Sequence, residues 1–555
     1  MSEQNTFYVG LCMAGAISAG AYTAGVMDYL IEALEDWEER RGQPGVPTHR
    51  VVIPVMGGSS AGGMTGIVAA GAINNPIPPV RDLNPSLGVL QQIPGNKFYH
   101  SWVDLTEDDM FPLMLDPGDI SDNVYSLLNS QFIDRISERV VMVDKGAWME
   151  RPFFEKNLRV FVTLTNLGGF SYDIAFQSNS ASTNKYFLEK HNDYACFLLN
   201  KTTPGPEDEG WIPLSFFEGV NTGIAREAAM ATGAFPLGLR ARKVTRPGDA
   251  INGNPWISNI PGQPFTTEPA VTTFNIDGGL INNEPFELVR KALNRHTGEG
   301  KDLPGGQGPD YKNYDHFRST VLMVDPFPSE KKEYDPDESI LGVAGATLSA
   351  MMGQLRTKPD YLISAMDSKD SGQYIIAPKR SFPSLTSKEG SRQGSGAIAC
   401  GSLGGFGGFL DKRFRIHDYF LGRANCERFL RYHFTVPGNS VNPVFVNGYA
   451  SVADTGRFRN PWDKSLQIIP LFTPEKPAPY MPDFGGGSDW PVIRKKDIDR
   501  LRGPVNTRVD KVIRTLVRKP KAVIWLASKL FLNGKATDFV MEKLTDGLQE
   551  HGLMR

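Results

Sequence analysis

The stretch that most constrains this chain is Val51-Val52-Ile53-Pro54-Val55-Met56-Gly57-Gly58-Ser59-Ser60-Ala61-Gly62-Gly63-Met64, a β-branched run that stops in glycines and reopens as an Ala/Gly-rich segment. The pattern predicts strand, sharp turn and helix, the helix running from Ala61 to about Ile73. Within it Gly58, Ser60 and Gly62 fit G-x-S-x-G, the elbow in which a serine sits on a strained strand-to-helix turn and glycines on either side let backbone pass close. Ser60 is the candidate nucleophile, and the helix N-terminus would point backbone N–H groups and a positive dipole end at it. A chain of this length and glycine content produces the bare pattern by chance roughly 0.4 times, so the flanking strand and helix carry the reading.

The 555 residues give a length prior of three or four domains, although large α/β enzymes run long as single units. A net charge of −3 carries no nucleic-acid signature. Cys12, Cys196, Cys400 and Cys426 lie far apart with no C-x-x-C pair, which argues against a zinc site or a disulfide framework and fits a reducing compartment. There is no H-E-x-x-H or Cys/His set, so neither metal nor cofactor is expected. The start lacks the basic and apolar regions of a secretory signal, and Ala522 to Leu532 is too short to span a bilayer. The expected location is cytoplasmic, with peripheral membrane contact.

The N-terminus reads as a strand from Phe7 to Met13, a loop Gly15-Ala16-Ile17-Ser18-Ala19-Gly20, and a helix with Val26, Tyr29, Leu30, Ala33, Leu34 and Trp37 on one face. The loop lacks the Lys-Ser/Thr of a P-loop and the G-x-G-x-x-G of a dinucleotide site. Its remaining use is to present backbone N–H groups to an anion, and two adjacent parallel strands would set Gly15 to Ile17 beside Ser60. Farther on, Leu158 to Thr165 and Arg318 to Asp325 read as buried strands. Asn221 to Thr232 reads as an Ala-rich helix running into Gly233-Ala234-Phe235-Pro236, Ala270 to Ile276 as a strand ending in Asp277-Gly278-Gly279, and Glu284 to Arg295 as a helix. The Gly-, Pro- or Ser-rich stretches Gly298 to Gly308, Lys379 to Gly408 and Pro474 to Gly487 read as loops.

In this order of motifs the chain resembles the patatin-like phospholipases: a strand, a glycine-rich loop, a helix with Gly25-Val26, the Ser60 elbow, an Ala-rich helix ending in Phe235-Pro236, and a late Asp277-Gly278-Gly279. The loop departs from the family's run of three glycines and a basic residue. The resemblance spans about Phe7 to Pro328 and thins to Gly404–Leu430 beyond. It implies a three-layer α/β/α sandwich with a mostly parallel central sheet and a helical C-terminal extension. The expected divisions are a catalytic domain over 1–330, a mainly helical extension over 331–480 and a basic helical segment over 481–555. It implies a serine–aspartate dyad of Ser60 and Asp277, with backbone N–H groups of Gly15, Ala16, Ile17 and Ala61 as the oxyanion hole. The implied activity is hydrolysis of phospholipid or other lipid acyl esters. Free aspartate, with a pKa near 3.9, is a weak base toward a hydroxyl, so such a dyad needs a short hydrogen bond in a partly desolvated site.

Two other readings are kept open by the residues. His296, His316, His417 and His433 follow Asp277 in the order of an α/β-hydrolase Ser-Asp-His triad, although only one βα unit precedes the elbow. The irregular loop also admits a lipid-binding scaffold without turnover. Finally, Arg508 to Lys535 holds Arg508, Lys511, Arg514, Arg518, Lys519, Lys521, Lys529 and Lys535 against Asp510 as the single acid, a net +7 within a chain of net −3. Val509, Val512, Ile513 and Leu516 recur at helical spacing, and Ile524, Trp525, Leu526, Leu530, Phe531 and Leu532 follow Pro520. Such a segment can lie on anionic membrane, or it can pack on the core with a solvated basic face.

Overall fold

The computed structural model describes residues 5–83, 95–104, 110–175, 185–205, 208–254, 256–257, 264–299, 314–328, 373–382, 390–475, 478–485, 487–517 and 534–555, with the single residues 346 and 350. Its centre is one sheet built from β1 (Thr6–Met13), β2 (Arg50–Gly58), β3 (Phe154–Ala175), β4 (Lys185–Leu199), β5 (Ile212–Leu214), β6 (Arg242–Pro247), β7 (Ala270–Asp277), β8 (Ser319–Val324) and β9 (Gln373–Ile376). The spatial order is β5-β4-β3-β2-β1-β8-β9. Strands β3, β2, β1, β8 and β9 run parallel; β4 and β7 pair with β3 antiparallel, and β6 pairs with β7. The sheet is therefore mostly parallel, as expected.

Parallel strands covered on both faces read as apolar on both faces, and β1 does so. Phe7, Val9, Leu11 and Met13 enter one core while Cys12 enters the other. In β2, Val51, Ile53 and Met56 face the first core and Val55 the second. The change of alternation at Pro54 coincides with a register shift between Ile53 and Val55, where proline cannot donate to the ladder. The first face carries α1 (Gly20–Arg40), α2 (Ser60–Ala72), α3 (Thr222–Thr232) and, from the C-terminal part, α5 (Lys412–Tyr432). Leu288, Val289, Ala292 and Leu293 of α4 (Phe286–Thr297) cover the other face with Phe161, Trp211 and Trp256. Three layers result. The C-terminal extension continues with α6 (Arg502–Val517) and α7 (Lys535–Glu550).

Most predicted elements stand where the sequence put them, with two differences. The strand expected over 158–165 extends to Phe154–Ala175, because it also pairs with β4 beyond the point where β2 ends. The stretch Lys379 to Gly408, expected as loop, instead pairs Lys379–Phe382 with Gly390–Gln393 as a hairpin and continues in 3-10 turns over Gly394–Ala397, Ala399–Gly405 and Gly407–Phe409. Its glycines serve close packing: a Cβ on Gly407 would lie 2.0 Å from Ser402 Oγ, and one on Gly408 would lie 2.5 Å from Cys400 Sγ. From residue 300, the Gly298–Gly308 stretch lies outside the described residues, as do residues 518–533 of the basic segment.

Candidate active site

Three strand ends converge at one edge of the sheet. Met13 at the end of β1 is level with Gly58 at the end of β2, Gly58 is level with Val162 of β3, and Leu164 of β3 pairs with Asp277 at the end of β7. This is the carboxyl edge of a parallel sheet, where open α/β folds place ligands.

At the elbow, Ser60 has φ +50°, the left-handed region that a side chain occupies only under constraint. The constraint is visible in the two glycines of the motif. A Cβ on Gly58 would stand 2.6 Å from the Gly62 carbonyl carbon, and one on Gly62 would stand 2.2 Å from the Met13 carbonyl oxygen. Both positions therefore require glycine for close backbone approach, which is the physical content of G-x-S-x-G. Of the adjacent serines, Ser60 directs its Oγ to Asp277 Oδ2 at 2.6 Å, both residues being 5% exposed. Ser59 Oγ is buried with no partner among the described residues.

Asp277 is held from several sides. Its Oδ1 accepts the Gly279 N–H at 2.7 Å, which turns Oδ2 toward Ser60. Its own N–H donates to Ala234 O at 3.0 Å and its carbonyl accepts the Thr165 hydroxyl at 2.9 Å. Gly278 fits because a Cβ there would sit 2.2 Å from Thr163 O.

The loop after β1 lies where the sequence placed it. A Cβ on Gly15 would be 2.9 Å from Ser60 Cβ, so Gly15 lies directly beside the serine. Its N–H donates to Asn283 O at 3.3 Å. Ala16 is buried, and Ile17 has φ +49° at the start of a 3-10 turn, Ile17–Ala19. Ala61 lies in the first turn of α2, where backbone N–H groups have no partner within the helix. All six residues singled out beside the dyad, Gly15, Ala16, Ile17, Gly58, Ala61 and Gly62, thus belong to the two turns flanking Ser60.

Sequence reasoning missed Thr232, whose Oγ1 accepts the Ser60 N–H at 2.9 Å. The sequence reads Asn221 to Thr232 only as an Ala-rich helix, but the end of α3 ties the two candidate catalytic residues together: Thr232 holds Ser60, and Ala234 holds Asp277. Asn283, whose main-chain carbonyl accepts the Gly15 N–H, was missed as well; a main-chain contact of this kind leaves no mark in the sequence.

Of the candidate histidines, His417 and His296 have partners away from the elbow. His417 Nδ1 bonds Asp418 Oδ1 at 2.7 Å and its ring meets Trp490 edge-on at 4.9 Å, both groups fully buried on or against α5. His296 packs on Tyr8 and lies 3.7 Å from Glu155 Oε2. His433 follows α5 on the surface, and desolvation together with the nearby Lys379 and Arg428 lowers its pKa. The four cysteines are buried and unpaired, and burial pushes the Cys12 thiol well above its ordinary pKa. Among the described residues no three His, Cys, Asp or Glu side chains are grouped as metal ligands, and no helix is long and apolar enough to cross a membrane.

This geometry supports proton transfer from a serine to a carboxylate beside a turn of backbone N–H groups, an arrangement suited to acyl transfer. Comparison with known proteins agrees with it in kind. A family model described as patatin-like phospholipase matches residues 11–290, about half of the chain. The chain is also 32% identical to an uncharacterized protein, y4iI, of Sinorhizobium fredii (strain NBRC 101917 / NGR234), across 92% of this chain and 76% of that protein.

Proposed function

The chain belongs to the patatin-like phospholipase family, whose membership supports lipid acyl hydrolysis in general terms, and from that premise we propose that it cleaves phospholipid or related acyl esters with Ser60 and Asp277 as a catalytic dyad. The observation that carries the reading is the 2.6 Å hydrogen bond from Ser60 Oγ to Asp277 Oδ2 in a site from which water is largely excluded. Asp277 takes the Ser60 proton as Oγ attacks the ester carbonyl. The tetrahedral oxyanion is held by N–H groups drawn from Ala16, Ile17 and Ala61, the Gly15 N–H being engaged by Asn283 O. The C–O bond to the alcohol then breaks, and the alcohol leaves with the proton held by Asp277. Water, losing a proton to Asp277, attacks the acyl-Ser60 ester and the fatty acid is released as Oγ is reprotonated.

Ser60→Ala and Asp277→Asn should each lower kcat/KM by on the order of 10³-fold or more while the fold persists, and the double variant should be scarcely worse than either, because the two act as a unit. Hydrolysis of defined phospholipids with mass spectrometry of the released acids measures this. Additive losses would remove the dyad from the reading.

The contact proposed with anionic membrane rests on the C-terminal basic segment and is narrower than the residue count alone suggested. Arg508 is 2% exposed and ion-paired with Asp119, whereas Lys511 and Arg514 are exposed on α6. Sedimentation with anionic vesicles should fall for Lys511→Gln with Arg514→Gln while turnover of a soluble ester is kept. Unchanged sedimentation would assign these residues to a solvated surface.

A further inference from the structure

Outside the residues matched by the family model, α6 and α7 border a cavity of about 640 Å³, within the roughly 300–1,000 Å³ of sites that hold small molecules. Val509 and Ile513 of α6, Val540 and Leu544 of α7, Phe111 and Leu115, and Leu403 and Phe406 line it. The lining is hydrocarbon almost throughout. Of its two charged residues, Arg508 is turned to Asp119, with Nη2 to Oδ2 at 3.1 Å, and to the carbonyl oxygens of Asp116, Ser126 and Leu127. Lys543 lies over the ring of Phe539 and is exposed. A space with this lining selects a hydrocarbon chain, because a polar ligand would lose its hydration without gaining partners.

Its wall packs against the elements that hold the elbow. Phe406 on its wall meets Phe235 edge-on at 5.4 Å, and Phe235 follows Ala234, whose carbonyl accepts the Asp277 N–H. Gly405, beside Phe406, lies against Ile17, where a Cβ would stand 3.3 Å from Ile17 Cβ. At the outer side three large apolar side chains stand in solvent: Leu127 at 50%, Phe539 at 56% and Leu237 at 80% exposure. Leu127 and Phe539 line the cavity, and the Leu127 N–H donates to Leu237 O at 2.8 Å. An apolar rim around an apolar cavity is suited to meeting a lipid surface.

We propose that this cavity receives the acyl chain of the lipid substrate, so that the C-terminal helices set the chain-length selectivity of the reaction. The proposal rests on the hydrolase reading above and deepens it. Each methylene seated in the cavity should strengthen binding by roughly fourfold. The protein should therefore favour long acyl esters over short ones, a preference that depends on residues far from Ser60 in sequence.

The test fills the cavity in the full-length chain with Ile513→Trp and, as the milder change, Val540→Phe, and takes two readings. In the first, p-nitrophenyl palmitate and p-nitrophenyl butyrate are hydrolysed by each protein: palmitate kcat/KM should fall at least tenfold while butyrate stays within about twofold. In the second, cis-parinaric acid, a fluorescent long-chain fatty acid, is titrated into Ser60→Ala protein with and without the filling substitutions, and its affinity should fall at least tenfold. Palmitate and butyrate falling in step, or parinarate binding unchanged by either substitution in folded protein, would overturn the cavity assignment while leaving the hydrolase reading intact. Parinarate binding that depends on the cavity, in a protein that cleaves neither ester, would instead support the cavity and remove the hydrolase reading.

Discussion

At Ser60 the chain holds a left-handed backbone conformation next to a buried carboxylate, and the residue that steadies it is Thr232. Replacing Thr232 with Val keeps the shape and removes the oxygen that accepts the Ser60 N–H, leaving that buried donor unsatisfied at a cost of about 1–3 kcal/mol. Thr232→Val should therefore lower the melting temperature by about 1–3 °C and slow Ser60 labelling by a fluorophosphonate probe at least tenfold, whereas labelling at the native rate would show that the elbow holds without it. Gly62→Ala should do more, since its methyl group would meet the Met13 carbonyl oxygen at 2.2 Å and the turn must open. Labelling should then be lost in protein that circular dichroism finds folded. The elbow was legible because its requirement is local: two glycines and a serine at fixed spacing between a strand and a helix. Thr232 was not, because nothing in an Ala-rich helix announces which hydroxyl will meet a backbone N–H belonging to a residue 172 positions away.

At the scale of elements, α6 shows how charge counted along a sequence separates once the helix is placed. Arg508 and Arg514 stand in one basic run, yet Arg508 is buried against Asp119 and three carbonyl oxygens while Arg514 is exposed beside Asp510. Removing one partner of a buried pair strands the other, so Arg508→Met should destabilise the protein by about 3 kcal/mol. Arg514→Gln should stay within about 0.5 kcal/mol, since exposed ion pairs contribute little. Urea unfolding of the two variants compares them, and equal midpoints would contradict the assignment of Arg508 as a docking residue for α6. Helical spacing of Val509, Val512, Ile513 and Leu516 predicted the helix correctly; its docking partners lie near residues 111–128 and could not be read from spacing. The glycine-rich 379–408 stretch failed in the opposite sense, because glycine marks tight packing as readily as it marks a loop, and only neighbouring atoms tell the two apart.

Across the whole molecule, the C-terminal part is packed into the sheet layers rather than appended to them. Helices α1 and α5 cross so closely that a Cβ on Gly25 would stand 1.9 Å from Tyr419 O and one on Gly422 would stand 2.2 Å from Tyr22 O. Arg423 of α5 is ion-paired with Asp28 and Glu32 of α1. Both glycines were visible in the sequence, but their pairing spans nearly 400 residues and no local pattern encodes it. A second clasp lies at His49, just before β2, whose Nε2 donates to Ile468 O at 2.9 Å. The ring packs against Trp37, Phe445 and Tyr449, and its Nδ1 is buried without a partner among the described residues. Burial, aided by the nearby Arg41 guanidinium and only partly opposed by the bond to Ile468, pushes the His49 pKa down to about 4. In the unfolded chain the same imidazole titrates near 6.5, so as pH falls below that value the unfolded state takes up a proton that the folded state refuses. Stability is thus fully present above pH 6.5 and declines until about pH 4, by about 3 kcal/mol in total. His49→Gln keeps a donor for Ile468 O and removes the titration. Unfolding free energies measured from pH 7 to pH 4.5 should therefore fall about 2–3 kcal/mol further in the native protein than in His49→Gln, and parallel pH profiles would mean that this clasp opens to solvent before the rest of the molecule unfolds.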